Sequence, residues 1–356
     1  MTPYTSATSV SSMISTVGIL PRKLLRVRQP ILAIAIVLVT ALATVGLDHN
    51  DVLLPMREHG KWGFIDRTGR IRISPQFDDA FWINNAFDGE LEPAEKGGRW
   101  GFINREGAWA IQPTFYMVTK FHDEVAGVET DNGWTFINIS GRYLRTPDIE
   151  RVTGGGDEYY AVVPQGEDSW TYLDRSASLF LPIHQNIPEG FSQGLLPLEE
   201  NGRWGYVDES GRFVIQPTFD EARGFSESLA AVRIGRKWGY IDKTGAIVVR
   251  PQFGWANGFS EGLASVEVAP RKFGFIDAHG RMVISPRMDE GGFFSESLAA
   301  VGIDHKLGYI DKSGKVAVKA QFSQADAFAG GVARVMLQDA KLAYIDKSGR
   351  FIWRER

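Results

Sequence analysis

The chain contains no cysteine in 356 residues. That excludes disulfide scaffolds, Cys-ligated zinc, iron–sulfur clusters, thiol catalysis and an acylated cysteine together. It also lacks the nucleophile elbow, the phosphate loop and the dinucleotide fingerprint, and none of its six histidines forms His-x-x-x-His. No segment of 48–356 carries a helical hydrophobic period, so an all-β body is expected there. Residues 1–43 hold no acid at all. What is present, 44% hydrophobic and 12% aromatic, is the composition of a folded protein.

The N-terminus reads as an address. Arg22, Lys23, Arg26 and Arg28 precede the uncharged run Ile31–Leu47, which contains the small-residue pattern Ala41-Leu42-Ala43. As a helix at roughly 1.5 Å per residue this run is short for a bilayer span. Residues 1–47 are therefore expected to be an export signal, cleaved after Ala43, or an N-terminal membrane anchor helix. Either places the rest of the chain in the periplasm or at the cell surface, with membrane contact only through 31–47. Without 1–43 the body has 35 basic and 43 acidic residues, a net of −8. That charge argues against nucleic acid as a partner.

Self-similarity organises the remainder, 51–356. An anchor recurs nine times, at Trp62, Trp100, Trp134, Trp170, Trp204, Trp238, Phe273, Leu307 and Leu342, spaced 34 to 38 residues apart. Four residues on stands Asp or Asn, and seven on stands Gly in every copy but the fourth. Thirteen on stands Pro in six copies, and a Phe-Ser-Glu-like turn then leads into Leu-Ala-x-Val. Each unit reads as a three-stranded antiparallel meander. In the sixth, Leu229–Ile234, Lys237–Asp242 and Ala246–Val249 are the strands, and Pro is expected to end the third. Pairs such as Asn201-Gly202 are type I′ hairpin signals, and the Asp-x-Ser/Thr-Gly turn carries its own acceptor and a left-handed glycine. One meander cannot bury its aromatic face alone, so the units must stack. The anchors Trp62, Trp100, Trp134, Trp170, Trp204, Trp238 and Phe273 are expected in that buried seam, since a core tolerates the swap to Phe and Leu.

The Trp-Gly-Phe/Tyr-Ile-Asp-x-x-Gly pattern followed by Pro-x-Phe resembles the bacterial WG-repeat family across about 51–356. The resemblance implies arrays of short β units on exported or surface proteins, serving as binding or scaffolding modules without catalytic residues or cofactors. The copies at Trp134 and Trp170 depart from the pattern, losing the Gly after Trp. Nine units exceed the usual four to eight propeller blades, and no strand exchange between the chain ends is visible. The expectation is an open, propeller-like superhelix, with a closed ring as the alternative.

The candidate binding feature is a basic stripe immediately before the anchor: Lys61, Arg99, Arg203, Lys237, Lys272, Lys306 and Lys341. Its expected local partners are acids such as Glu227, Glu261 and Glu296. His59 and His279 fall on turns, each Asp-x-Ser/Thr-Gly loop offers one carboxylate, and neither a histidine nor a calcium site is expected. Were the chain an enzyme, its residues would be those that break the repeat: His122, Asp123, Glu124, Asp157, Glu158 and His184. The favoured expectation is a non-enzymatic exported protein that docks another cell-envelope protein. A module for peptidoglycan or an anionic polysaccharide comes second and a hydrolase third.

Overall fold

The computed structural model describes residues 52–80, 87, 89–121, 124–144, 149–154, 160–164, 170–173, 179–183 and 190–356. The expected signal or anchor at 1–47 lies outside the described residues, as do His122, Asp123, Asp157, Glu158 and His184. The described residues belong to one compact unit and are all-β. Among them no helix is long and apolar enough to cross a membrane.

Numbered by their anchors, the units share one plan, clearest in the sixth. Leu229–Ile234, Lys237–Asp242 and Ile247–Phe253 pair antiparallel in chain order, and a short strand, Glu221–Ala222, pairs with the far side of the first. Units six to nine are four-stranded in this way, and units one, two and five are three-stranded. The hairpin turn between the first two strands has consecutive positive φ at His59 and Gly60, at Asn201 and Gly202, and at Asp304 and His305, as type I′ requires. The following turn is held by its aspartate. Asp242 Oδ1 accepts from Thr244 N at 2.9 Å, Thr244 Oγ1 at 2.6 Å and Ala246 N at 3.1 Å.

Two expectations about the units are corrected. The strands of units three and four share one seven-stranded sheet, so the described residues form eight sheets. Ile149–Gly154 pairs with Gly133–Asn138 on one side and with Tyr160–Pro164 on the other. Elsewhere a bend residue such as Asp220 or Gly254 separates these two pairings, whereas Glu150 stays in the strand. Nor does Pro end the third strand: Ile247–Phe253 runs through Pro251. The register shifts there, with Trp238 opposite Phe253 and Tyr240 opposite Val249, so the third strand bulges over Gly239. A Cβ on Gly239 would lie 2.4 Å from the Val249 carbonyl oxygen and 2.7 Å from Pro251 N. The Gly after Trp thus exists to let the third strand's backbone pass over it.

The core lies between units. The first strand is buried on both faces (Ala230, Ala231 and Val232 are 0% exposed), and so are Tyr240 and Ile241 of the second. Six inter-unit clusters are closed by the residue fifteen after the anchor: Phe77, Phe115, Phe219, Phe253, Met288 and Phe322. Adjacent units are also stitched by the Phe-Ser-Glu turn. Ser260 Oγ donates to the Phe294 carbonyl at 2.6 Å and Ser295 Oγ to that of Phe328 at 2.7 Å. Glu227, Glu261 and Glu296 accept from the backbone N–H of Gly262, Ser297 and Gly331, one unit further on, at 2.9, 3.0 and 2.9 Å.

The open array is corrected to one whose ends meet. Leu54, Met56 and Ile65 of unit one pack with Val332, Leu342 and Tyr344 of unit nine in a single buried cluster. Tyr344 Oη donates to the Pro55 carbonyl at 2.7 Å, and Arg57 pairs with Glu355 at 2.8 Å. The contact repeats the one found between neighbours. The turn glycines Gly245, Gly280, Gly314 and Gly349 each abut the third strand of the preceding unit, at Ile215, Val249, Ile284 and Val318, and Gly69 abuts Ile352. A head-to-tail interface reused between last and first subunit closes an array into a ring. One position differs at this seam. The turn base, Lys312 or Lys347 elsewhere, pairs with Glu261 or Glu296 at 3.0 and 2.9 Å. At the seam the base is Arg67 and the acid's place is taken by Gly330, where a Cβ would fall 2.0 Å from the guanidinium carbon.

Candidate binding surface

Six stripe residues open the second strand just after the hairpin turn and Lys341 directly precedes it, so the seven lie at equivalent rim positions. The structure divides them into two sets. Lys61 is bound by Asp78, Arg203 pairs with Asp220 at 2.7 Å, and Lys341 with Asp339 at 3.4 Å. The Arg99 guanidinium lies 3.5 Å from the centre of the Tyr116 ring. Lys237, Lys272 and Lys306 are exposed and make no ion pair among the described residues.

For all but Lys341 the cause is a position that the sequence reading did not weigh, sixteen residues after the anchor. It holds Asp78, Tyr116 and Asp220 where the base is neutralised or stacked, but Gly254 and Ser323 in units six and eight. In unit seven it holds Asp289, which faces Arg271 at 3.8 Å and accepts from His305 N at 3.2 Å, leaving Lys272 outside. The aspartate also ties down the next hairpin, since Asp78 accepts from Gly97 N at 2.7 Å and Asp220 from Gly235 N at 2.6 Å. The Lys61 hydrogen bond, helped by Gly97, holds the Asp78 carboxyl below its ordinary range. The expected partners Glu227, Glu261 and Glu296 are corrected: they lie on the Phe-Ser-Glu turns and join units instead. Extending the repeat alignment past Pro-x-Phe to Phe-Asp would have exposed this acid in Phe77-Asp78 and Phe219-Asp220.

Trp238 is 3% and Trp100 7% exposed, Trp62, Trp134, Trp204 and Phe273 are half-buried, and the side chain of Trp170 lies outside the described residues. A further base, Arg223, sits between Trp238 and Trp255, 4.9 and 4.1 Å from their ring centres. Of the six candidate catalytic residues only Glu124 is described, exposed at a turn with φ 72°. No group of three or more His, Asp or Glu able to hold a metal occurs among the described residues. The outer third strands expose large apolar side chains: Ile71, Val214, Ile247, Val283 and Val316 are 44 to 51% accessible. A cavity of about 320 Å³ lies at the seam, lined by Met56, Arg57, Glu58, Gly69, Ile71, Trp353, Arg354 and Arg356.

The family model for the WG containing repeat matches residues 62–86, 100–134, 204–238, 238–268, 273–306 and 308–341. The chain belongs to the WG-repeat family. The matched segments fall on the units that keep Trp-Gly or its Phe-Gly and Leu-Gly variants, and they omit the third, fourth and ninth. No curated protein sequence matches the chain. Among solved structures it is similar to a eukaryotic initiation factor, with a TM-score of 0.61 and 12% identity over 86% of this chain and 96% of that one. It is also similar to BamB from Moraxella catarrhalis, with a TM-score of 0.44 and 11% identity over 78% and 88%. The first likeness is one of fold.

Proposed function

We propose that this WG-repeat protein is a non-enzymatic, exported binding scaffold that docks another cell-envelope protein on its outer strands. The observation that carries this reading is the row of outward apolar pairs, Val214 beside Phe213, Ile247-Val248 and Met282-Val283, on successive outer strands. Contiguous exposed apolar surface marks protein contact sites. The basic N-terminal flank and the Ile31–Leu47 run support export. A second reading, an anionic envelope glycan along the rim, is favoured by the unneutralised Lys237, Lys272 and Lys306. Such a field attracts polyanions and fades with salt.

Charge reversal separates the two. Lys237→Glu with Lys306→Glu leaves capture of the protein partner by in-cell crosslinking intact and abolishes salt-sensitive co-sedimentation with peptidoglycan sacculi. Val248→Asp with Val283→Asp does the opposite. If neither pair changes either readout, both readings fail.

A further inference from the structure

The division of the basic stripe coincides with a second one, in the residue across the hairpin. In units one and five the stripe base faces a glutamate, Glu58 opposite Lys61 and Glu200 opposite Arg203. In units six to eight it faces an apolar residue: Ile234 opposite Lys237, Ala269 opposite Lys272 and Ile303 opposite Lys306. Ile234 is 41% exposed, and Val268, bulged out beside Ala269, is 36% exposed. Among the described residues these are the only exposed large apolar side chains beside the hairpins, and both flank a lysine without an ion pair. Directly opposite side chains of an antiparallel pair share a face, so aliphatic group and ammonium are presented together. The turn residues Arg236 and Arg271 add exposed positive charge, against exposed Asp304 on its turn and Glu290 opposite Gly302. Acids bound the arc at both ends, Glu200 in unit five and Asp339 in unit nine.

We infer that this arc binds an acidic amphipathic helix of a partner protein, in which an apolar and an acidic side chain recur together every seven residues. Spacing carries the match. Packed sheets stand about 10 Å apart, so the aliphatic–lysine pairs of successive units recur at that interval. Seven residues of α-helix rise about 10.5 Å. A helix suits hairpin tips because it satisfies its own backbone, whereas an extended segment laid across them finds no strand edge to pair with. The aliphatic groups also select against a glycan, whose hydroxyls would lose water against them. Nor is a ring offered for a sugar to stack on, since Trp238 is 3% exposed with Arg223 over its face. The inference shares its lysines with the glycan reading but does not rest on it, and it is separate from the outer-strand contact.

The probe is a labelled helical peptide of three heptads, with one Leu and one Glu on the same face of each and Ala or Gln elsewhere. It is titrated into the full chain in mild detergent and followed by fluorescence anisotropy. The expected result is saturable binding that weakens at least about tenfold when the same Leu and Glu are respaced every five residues. Lys237→Glu with Lys306→Glu should weaken it by at least about tenfold. Ile234→Ser with Val268→Ser should weaken it about fivefold at an unchanged thermal midpoint, because both side chains are exposed. Lys61→Gln with Arg203→Gln, whose bases already have acidic partners, should leave it within about twofold. No saturable binding, or binding indifferent to the spacing, overturns the inference. Dependence on the lysines but not on Ile234 and Val268 also overturns it and leaves the rim to a glycan. Lysine-dependent co-sedimentation with phosphatidylglycerol vesicles, without peptide binding, overturns it in favour of a lipid surface. None of these changes lies on a third strand, so failure here leaves the outer-strand reading standing.

Discussion

At the scale of single residues, the Trp-Gly signature is explained by what crosses it. In unit six the third strand's backbone lies 2.4 to 2.9 Å from where a Gly239 Cβ would be, and the same holds at Gly63, Gly101 and Gly205. Where the Gly is replaced, the bulge goes too: Ala343 pairs directly with Arg354, and Tyr344 with Trp353, without the shift seen at Trp238. Gly239→Ala should therefore cost about 3 kcal/mol, because the obstructing atoms are backbone and cannot rotate away. A urea-midpoint series checks this, and a loss below about 1 kcal/mol would show that the third strand yields. The repeat was legible in the sequence because its Gly, Asp and Pro each serve a fixed backbone need. The reason for the Gly was not, since it depends on a strand about a dozen residues further on.

At the scale of the element, the Asp-x-Ser/Thr-Gly turn sets a pH dependence. The hydroxyl two residues on, followed by backbone N–H groups, lowers the carboxyls of Asp242, Asp311 and Asp346, and brings Asp208 to about 2. A depressed folded value means that the contribution is complete above the ordinary 3.8 and is lost as pH falls through the folded value. Burial acts oppositely on the facing pair Asp79 and Glu95, raising both, with Asp79 adding to the rise at Glu95. Their contribution is complete below about 4 and lost as pH rises through the raised values. Stability measured by urea midpoint should thus fall steeply between pH 4 and about 2, and Asp242→Asn should flatten that fall. Asp79→Asn should stabilise at pH 7 and be neutral near pH 3; an equal effect at both would refute the assignment. The turns were legible because their chemistry is local. The facing of Asp79 and Glu95 was not, because it depends on the short strand between units, which has no periodic signature of its own.

At the scale of the whole molecule, the question was whether a head-to-tail array stays open. Counting anchors gave nine units, and the absence of exchanged strands suggested an open superhelix. Geometry refines both: the strands of two degenerate repeats share one sheet among the described residues, and the ends meet without exchanged strands because the closing contact reuses the ordinary interface. The division of the basic stripe was equally hidden, since charges sixteen residues apart meet only once the third strand has turned back. The seam is the most direct place to test the account. The chain has no cysteine, so Arg57→Cys with Glu355→Cys places the only two thiols across it. A short bis-thiol reagent applied to dilute protein should give a monomeric, internally bridged species in high yield. Exclusive formation of crosslinked dimers, or no bridging with both thiols reactive, would mean that the first and ninth units do not meet.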